Sequence, residues 1–219
     1  MNQRRVVITG LGQISPVGND VETAWQNLLA GKSGIGRITK FDASDVSCQI
    51  AGEVKDFDIS QYLPAKEARR MDSFIHYGIA GALQAIKDAR LDEFTELDKD
   101  RVGVNIGSGI GGLPLIEETS RNVVAGGARK INPFFIPGSL INLISGHITI
   151  LKGYRGHNYG IVSACASGTH AIGESARLIK YGDVDVMIAG GAESAVCTLG
   201  VGGFAAMKAL STRNDDPAA

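Results

Sequence analysis

Apolar positions along the chain fall into short β-leaning runs separated by stretches of helical period. Arg5–Leu11 (RVVITGL), Val102–Ile106, Tyr159–Ser163 and Val184–Ala189 are largely apolar runs with small residues at or near their ends. Runs of this length and evenness read as strands buried on both faces. Between them, apolar residues recur every three to four positions. Val21, Ala24, Trp25, Leu28 and Leu29 mark a helix opened by the capping-box pair Asn19 and Glu22 and stopped at Gly31. Ile75, Ile79, Ala82, Ile86 and Ala89 mark a long helix beginning near Lys66, and Leu113–Val124 reads as another. Leu140, Ile141, Ile144, Ile148 and Leu151 predict a helix closed by Gly153; Ile172, Ala176 and Ile179 predict one that stops at Gly182. Residues 32–64 are polar and weakly periodic, an excursion with little regular structure. Residues 131–138 (INPFFIPG) carry two prolines and read as an extended connection. Strands alternating with helices predict an α/β fold, with helices layered on a mostly parallel sheet.

Composition narrows the function classes. At 219 residues and 44% apolar content the chain can bury a sizeable core. A net charge of −1 provides no global attraction for nucleic acid or an anionic membrane. No apolar stretch reaches the ~18 residues a membrane span requires, and Arg4 and Arg5 lead straight into a β-type run rather than a signal peptide. Three widely spaced cysteines argue for a reducing cytoplasm rather than a disulfide framework. No pair of cysteines or histidines has metal-ligand spacing, so no metal is expected. The 29 glycines, roughly twice average usage, gather at the ends of apolar runs, where backbone must approach backbone or ligand.

The candidate chemistry lies in Tyr159–Gly173 (YGIVSACASGTHAIG), where a strand runs into a helix. Cys165 sits at the junction, where the positive end of the helix dipole favours negative charge on its sulfur. Its neighbours Ala164, Ala166, Ser167 and Gly168 are small enough for a sharp turn and for a bulky substrate to approach. A lone cysteine is more often a small buried hydrophobe; this setting favours a nucleophile. Cys48 and Cys197 lack it and read as structural. Gly107-Ser-Gly109-Ile-Gly-Gly112 matches the GxGxxG pattern of dinucleotide binding after a strand and before a helix. The acidic residue required about 20 positions on is missing, since residues 125–135 read AGGARKINPFF. The motif therefore reads as a tight turn, or as one that lines a substrate channel.

Taken together, VVITGLGQISPVG at 6–18, GSGIGGL at 107–113, KINPFFIPGSLIN at 130–142, YGIVSACASGTHAIG at 159–173, DVMIAGGAES at 185–194 and GGFAAMKALSTRNDDP at 202–217 resemble the N-terminal half of the type II elongating β-ketoacyl-acyl-carrier-protein synthases, within the thiolase-like superfamily. The resemblance covers essentially residues 1–219 and implies a thiolase-like layered fold of which only the N-terminal half is present. It implies that Cys165 accepts an acyl chain from acyl-carrier protein and that malonyl-loaded carrier then condenses with it after losing carbon dioxide. It implies no cofactor beyond the 4'-phosphopantetheine that the carrier brings. By matching position, the backbone N–H of Cys165 forms half of an oxyanion hole, Ile110 gates the far end of the acyl channel, Phe135 reaches that channel across a homodimer, and Phe204 lines it near the cysteine. Lys66, Arg69, Arg70, Arg129 and Lys130 match the patch that docks the acidic carrier.

The chain departs from that pattern in its histidines. The resemblance calls for two histidines in C-terminal HGT- and GHxxGAAG-type contexts, and His76, His147, His157 and His170 stand in neither. His170, on the helix after Cys165, is given no catalytic part. The chain alone is therefore expected not to elongate. Two other readings are a non-catalytic partner subunit that binds acyl chain or carrier, against which Cys165 speaks, and a cysteine hydrolase, which would need a histidine base beyond His170.

Overall fold

In the computed structural model, which describes residues 4–218, the chain forms α1 (Val21–Leu29), β1 (Ile35–Arg37), β2 (Ile50–Gly52), α2 (Ala65–Ala68), α3 (Ser73–Asp88), β3 (Val102–Gly107), α4 (Leu113–Gly126), α5 (Phe135–Ser139), α6 (Leu143–Lys152), β4 (Asn158–Tyr159), α7 (Ser167–Tyr181), β5 (Val186–Gly191) and α8 (Thr198–Ala206). Residues 1–3 and 219, the ends of the expected unit, lie outside the described residues. β3 is the middle strand of a parallel sheet, with β4 on one side and β5 on the other. Val104 stands opposite both Asn158 and Ile188.

The two faces of β3 explain the layers. Val102, Val104 and Ile106 point into a core filled by Phe74, Ile75, Ile79 and Ile86 of α3 and by Ile144 and Ile148 of α6. Each such side chain, fully buried, stabilises the fold by about 2 kcal/mol. Successive strand residues alternate faces, so Asn105 and Gly107 meet the other layer, which is α7. Asn105 is fully buried, and its amide donates to Ala171 O at 3.2 Å and Ser175 Oγ at 3.4 Å, fastening α7 to the sheet. Ser145 of α6 ties the first pair of strands: its hydroxyl accepts from Ile106 N and donates to Tyr159 O. The result is a parallel sheet between helical layers, as the alternation predicts.

Several local expectations need correction. Arg5–Leu11 pairs with no strand among the described residues. It lies along α3 instead, with Leu11 N donating to Asp88 Oδ2 and Gln13 N to Gln84 Oε1, both at 2.9 Å. The approach is close enough that a Cβ on Gly12 would sit 2.8 Å from the Gly81 carbonyl carbon. A cleft of about 800 Å³ lies between this segment and β5, lined by Val6 and Ile8 on one side and Ile188 and Gly190 on the other. Ile8 is 79% exposed there. Apolar evenness reports a preference for burial, whereas a strand also needs a partner for its backbone N–H and C=O groups. The cap of α1 is Asp20, not Asn19, and accepts from Thr23 N at 2.7 Å; Asn19 donates instead to Lys55 O. The long helix expected from Lys66 is broken at Arg69–Asp72 into α2 and α3, because the carboxylate of Asp72 caps α3 by accepting from Phe74 N. Within the 32–64 excursion β1 and β2 pair antiparallel, and Cys48 is buried beside them. Residues 135–139 are a helical turn despite Pro137, since proline is tolerated in the first turn of a helix. Tyr159–Ser163 contributes only its first residue to the sheet. Gly153 and Gly182 close α6 and α7 in the left-handed conformation, as expected.

Among the described residues, no helix is long and apolar enough to cross a membrane. Tyr154 is 5% exposed, its hydroxyl has no hydrogen-bond partner, and burial pushes the phenol up to about 12. Tyr154→Phe removes an unpaired buried hydroxyl and should raise stability by about 1 kcal/mol in urea unfolding; a loss of similar size would show that the hydroxyl is bonded in solution.

Candidate active site

The site is built where the ends of β3 and β5 meet the start of α7. Ala164 adopts a left-handed conformation with φ of +51°, which costs a non-glycine residue on the order of 1 kcal/mol. Ser167, buried in the first turn of α7, holds that bend from both sides. Its Oγ accepts from Ser163 N at 2.9 Å and donates to Ala164 O at 2.7 Å. Cys165 is lifted out of this clasp and is exposed. The N–H groups of Ala166 and Ser167 are satisfied by Ser163 O and Ala164 O. Among the described residues, the N–H of Cys165 itself makes no hydrogen bond. An exposed sulfur beside a spare amide donor can attack a carbonyl carbon and hold the oxygen that becomes negative. His170 lies one turn into α7, and its Nδ1 is 2.6 Å from Ser163 Oγ.

The glycine turn at 107–112 packs against this bend. A Cβ on Gly109 would stand 3.1 Å from Ala164 O. The turn's amides are not free for a phosphate, because the Glu193 carboxylate already fills them: Oε2 accepts from Gly109 N at 2.8 Å and Ile110 N at 2.9 Å, while Oε1 accepts from Gly111 N and Ser108 Oγ. A phosphate would meet that negative charge, which is a physical reason against the dinucleotide reading. Ile110 is carried on this turn and is 39% exposed. Phe135 opens α5, which touches the turn through Gly112 N donating to Ser139 O. Phe204 is 38% exposed near the end of α8. α8 packs on the start of α4, where Gly200 meets Leu113. Glu117 of α4 anchors that helix by accepting from Leu199 N at 2.7 Å. Burial opposes ionisation of Glu117, but the Leu199 amide, the Cys197 thiol and Arg121 together hold its carboxyl below the usual range.

The structure brings some of the basic positions together. Arg69 and Lys130 line one surface cleft of about 480 Å³ with Asn122 and Asn132. Lys66 is exposed on α2, and Arg129 shares a single helical turn with Lys130. Among the described residues, no acidic partner engages Lys66, Arg69, Arg129 or Lys130. Arg70 is already occupied, since its guanidinium lies 4.4 Å over the Phe134 ring and reaches Glu67 at 3.4 Å. Asp72 lies at the floor of the cleft, where burial pushes its carboxyl up against the pull of the Leu115 and Phe74 amides. The sequence reading took Ser167 only as a small neighbour of Cys165, not as its clasp, and missed Asn105 and Glu193. A polar residue inside or just after an apolar run was the signal for the last two.

Known proteins resemble the chain over nearly its full length. It is 54% identical over 217 residues to a 3-oxoacyl-[acyl-carrier-protein] synthase 2 of Vibrio harveyi, a match covering 99% of this chain and 52% of that protein. The chain thus spans about half the length of the curated relatives it matches. A β-ketoacyl synthase from Burkholderia phymatum superposes with a TM-score of 0.85 at 26% identity, over 96% of this chain and 52% of that one. A ketosynthase solved in complex with its type II PKS acyl-carrier protein superposes with a TM-score of 0.78 at 28% identity, over 92% of this chain and 55% of that one. The match to the β-ketoacyl synthase N-terminal domain runs over residues 3–219, and the chain belongs to that family.

Proposed function

We propose that this chain supplies the acyl-accepting half of a 3-oxoacyl-acyl-carrier-protein synthase of fatty acid synthesis. The observation that carries this reading is Cys165, exposed on a strained bend with an unused backbone N–H beside it. In the first step the Cys165 sulfur attacks the thioester carbonyl of an acyl chain on acyl-carrier protein. A new thioester forms, and the carrier's phosphopantetheine thiol departs with the proton. In the second step malonyl-carrier protein loses carbon dioxide, its carbanion attacks the Cys165 thioester, a carbon–carbon bond forms, and the cysteine leaves as thiolate. The Cys165 N–H would hold the oxyanion in both. Ile110, Phe135 and Phe204 would line the acyl channel. No cofactor is needed beyond the carrier's own arm. The condensing step belongs to the whole protein, and this chain alone is expected to accept acyl groups without elongating them.

A cytoplasmic homodimer fits the same reading. All three thiols are free, and the segment around Phe135 exposes Ile131, Phe134 and Ile136, the kind of apolar strip a second subunit covers. The exposed Cys165 counts against a purely non-catalytic partner subunit.

The test is an intact mass measured after brief incubation with acyl-carrier protein bearing a long acyl chain. An increment equal to the acyl group supports the reading, and its absence in the complete protein overturns it. Carrier docking has its own test. Reversing charge with Arg69→Glu and Lys130→Glu together should cut acyl-transfer kcat/KM by about tenfold at low ionic strength, with the deficit shrinking as salt screens the field. Unchanged transfer at low salt would show that the carrier docks elsewhere.

A further inference from the structure

Beyond the residues that touch an acyl chain, the geometry points to Glu193 as the positioning residue that sets chain-length preference, by fixing the turn that carries Ile110. This rests on the acyl-channel reading of Ile110 given above. One carboxylate accepts three successive backbone N–H groups, those of Gly109, Ile110 and Gly111, and the hydroxyl of Ser108. Consecutive amides converging on one point form an anion-binding nest, and here the anion is supplied by the protein itself. Glu193 forms no salt bridge with a basic side chain among the described residues. Its charge is therefore answered by the turn alone, although the side chain is open to solvent.

Glu193 is itself held from behind. It follows the end of β5, where Ala192 N donates to Gly107 O at 3.0 Å. Its other neighbour, Ser194, is buried and accepts from Ser73 Oγ at 2.8 Å. The carboxylate thus projects from a fixed base onto a glycine-rich turn whose far end is also held, by Gly111 N on Ser108 Oγ and Gly112 N on Ser139 O, while Ile110 N itself is held by Glu193. The turn has few side chains of its own to pack, and its backbone freedom is removed by these bonds. The place where the Ile110 side chain stands follows from them.

The test compares octanoyl with palmitoyl transfer from acyl-carrier protein to Cys165 in the protein as its gene encodes it. Glu193→Gln keeps size but aims an NH2 at amide donors, and should raise the palmitoyl-to-octanoyl rate ratio by about fivefold as the gate loosens. In an Ile110→Ala background the same substitution should leave the ratio unchanged, because an effect transmitted through Ile110 cannot be added twice. A merely structural role would scale both rates equally and persist in both backgrounds. If Glu193→Gln does not fold, Ser108→Ala, which removes one bond to the same carboxylate, should shift the ratio in the same direction. An unchanged or lower ratio, with the unsubstituted protein acylated normally, overturns the role of Glu193. No acylation of the unsubstituted protein overturns the acyl-transfer reading itself, and this inference with it.

Discussion

Cys165→Ala should take up no acyl group from acyl-carrier protein, a loss on the order of a thousandfold or more in transfer rate. The size follows from the chemistry. A covalent intermediate needs a nucleophile, and no other thiol can stand in, since Cys48 and Cys197 are buried. Desolvation pushes the Cys197 thiol up, which makes it a poorer nucleophile still. Ser163 and Ser167 are the nearest hydroxyls in the sequence, but Ser163 is already paired with His170 and Ser167 donates to Ala164 O. The substitution should leave stability within about 0.5 kcal/mol, because an exposed side chain contributes little packing. Loss of the mass increment with an unchanged melting temperature therefore reports chemistry and not unfolding. An increment that survives Cys165→Ala would mean that the acyl group is carried elsewhere.

How much of this was legible in the sequence depends on whether a residue's role is local. β3 was legible because its burial is set by its own run of apolar residues. The stops of α6 and α7 were legible because a glycine in the left-handed conformation is a local requirement. The turn into α7 at Cys165 was legible because small residues and a helix follow it directly, although of the strand expected before it only Tyr159 joins the sheet. Roles that depend on distant partners were not. Arg5–Leu11 has the composition of a strand, yet Leu11 N donates to Asp88 and, just beyond the run, Gln13 N to Gln84, both more than seventy residues away. Glu193 reads as one more polar residue after a strand until the fold brings it to the amides at 109–111, and Asn105 reads as a flaw in an apolar run until α7 is laid over it. Sequence periodicity reports what a residue prefers. The hydrogen-bond partner that satisfies it is chosen by topology.

The bend at Cys165 depends on a residue that touches no substrate, and Gly107→Ala exposes that dependence. A Cβ there would run into the Ile161 carbonyl oxygen and lie 3.0 Å from Ser167 Cβ. Neither neighbour can yield cheaply. Ile161 is backbone of the segment that delivers Cys165, and Ser167 is the clasp that holds Ala164 in its strained conformation. The added methyl must therefore push the whole bend away from β3, at a cost of about 2–3 kcal/mol in unfolding free energy. Acyl transfer should fall about tenfold further than the folded fraction explains, because displacing the bend moves the sulfur and its N–H from the attack geometry. Gly173→Ala, on α7, provides the contrast. Nothing lies within 4 Å of its added Cβ, and the substitution should stabilise the protein by roughly 0.5–1 kcal/mol through helix propensity alone. Urea unfolding and acyl-transfer rates of the two variants, measured side by side, check both halves of the argument. If Gly107→Ala unfolds like the parent protein and is acylated at its rate, the bend is not braced against β3 and the site is held by some other contact.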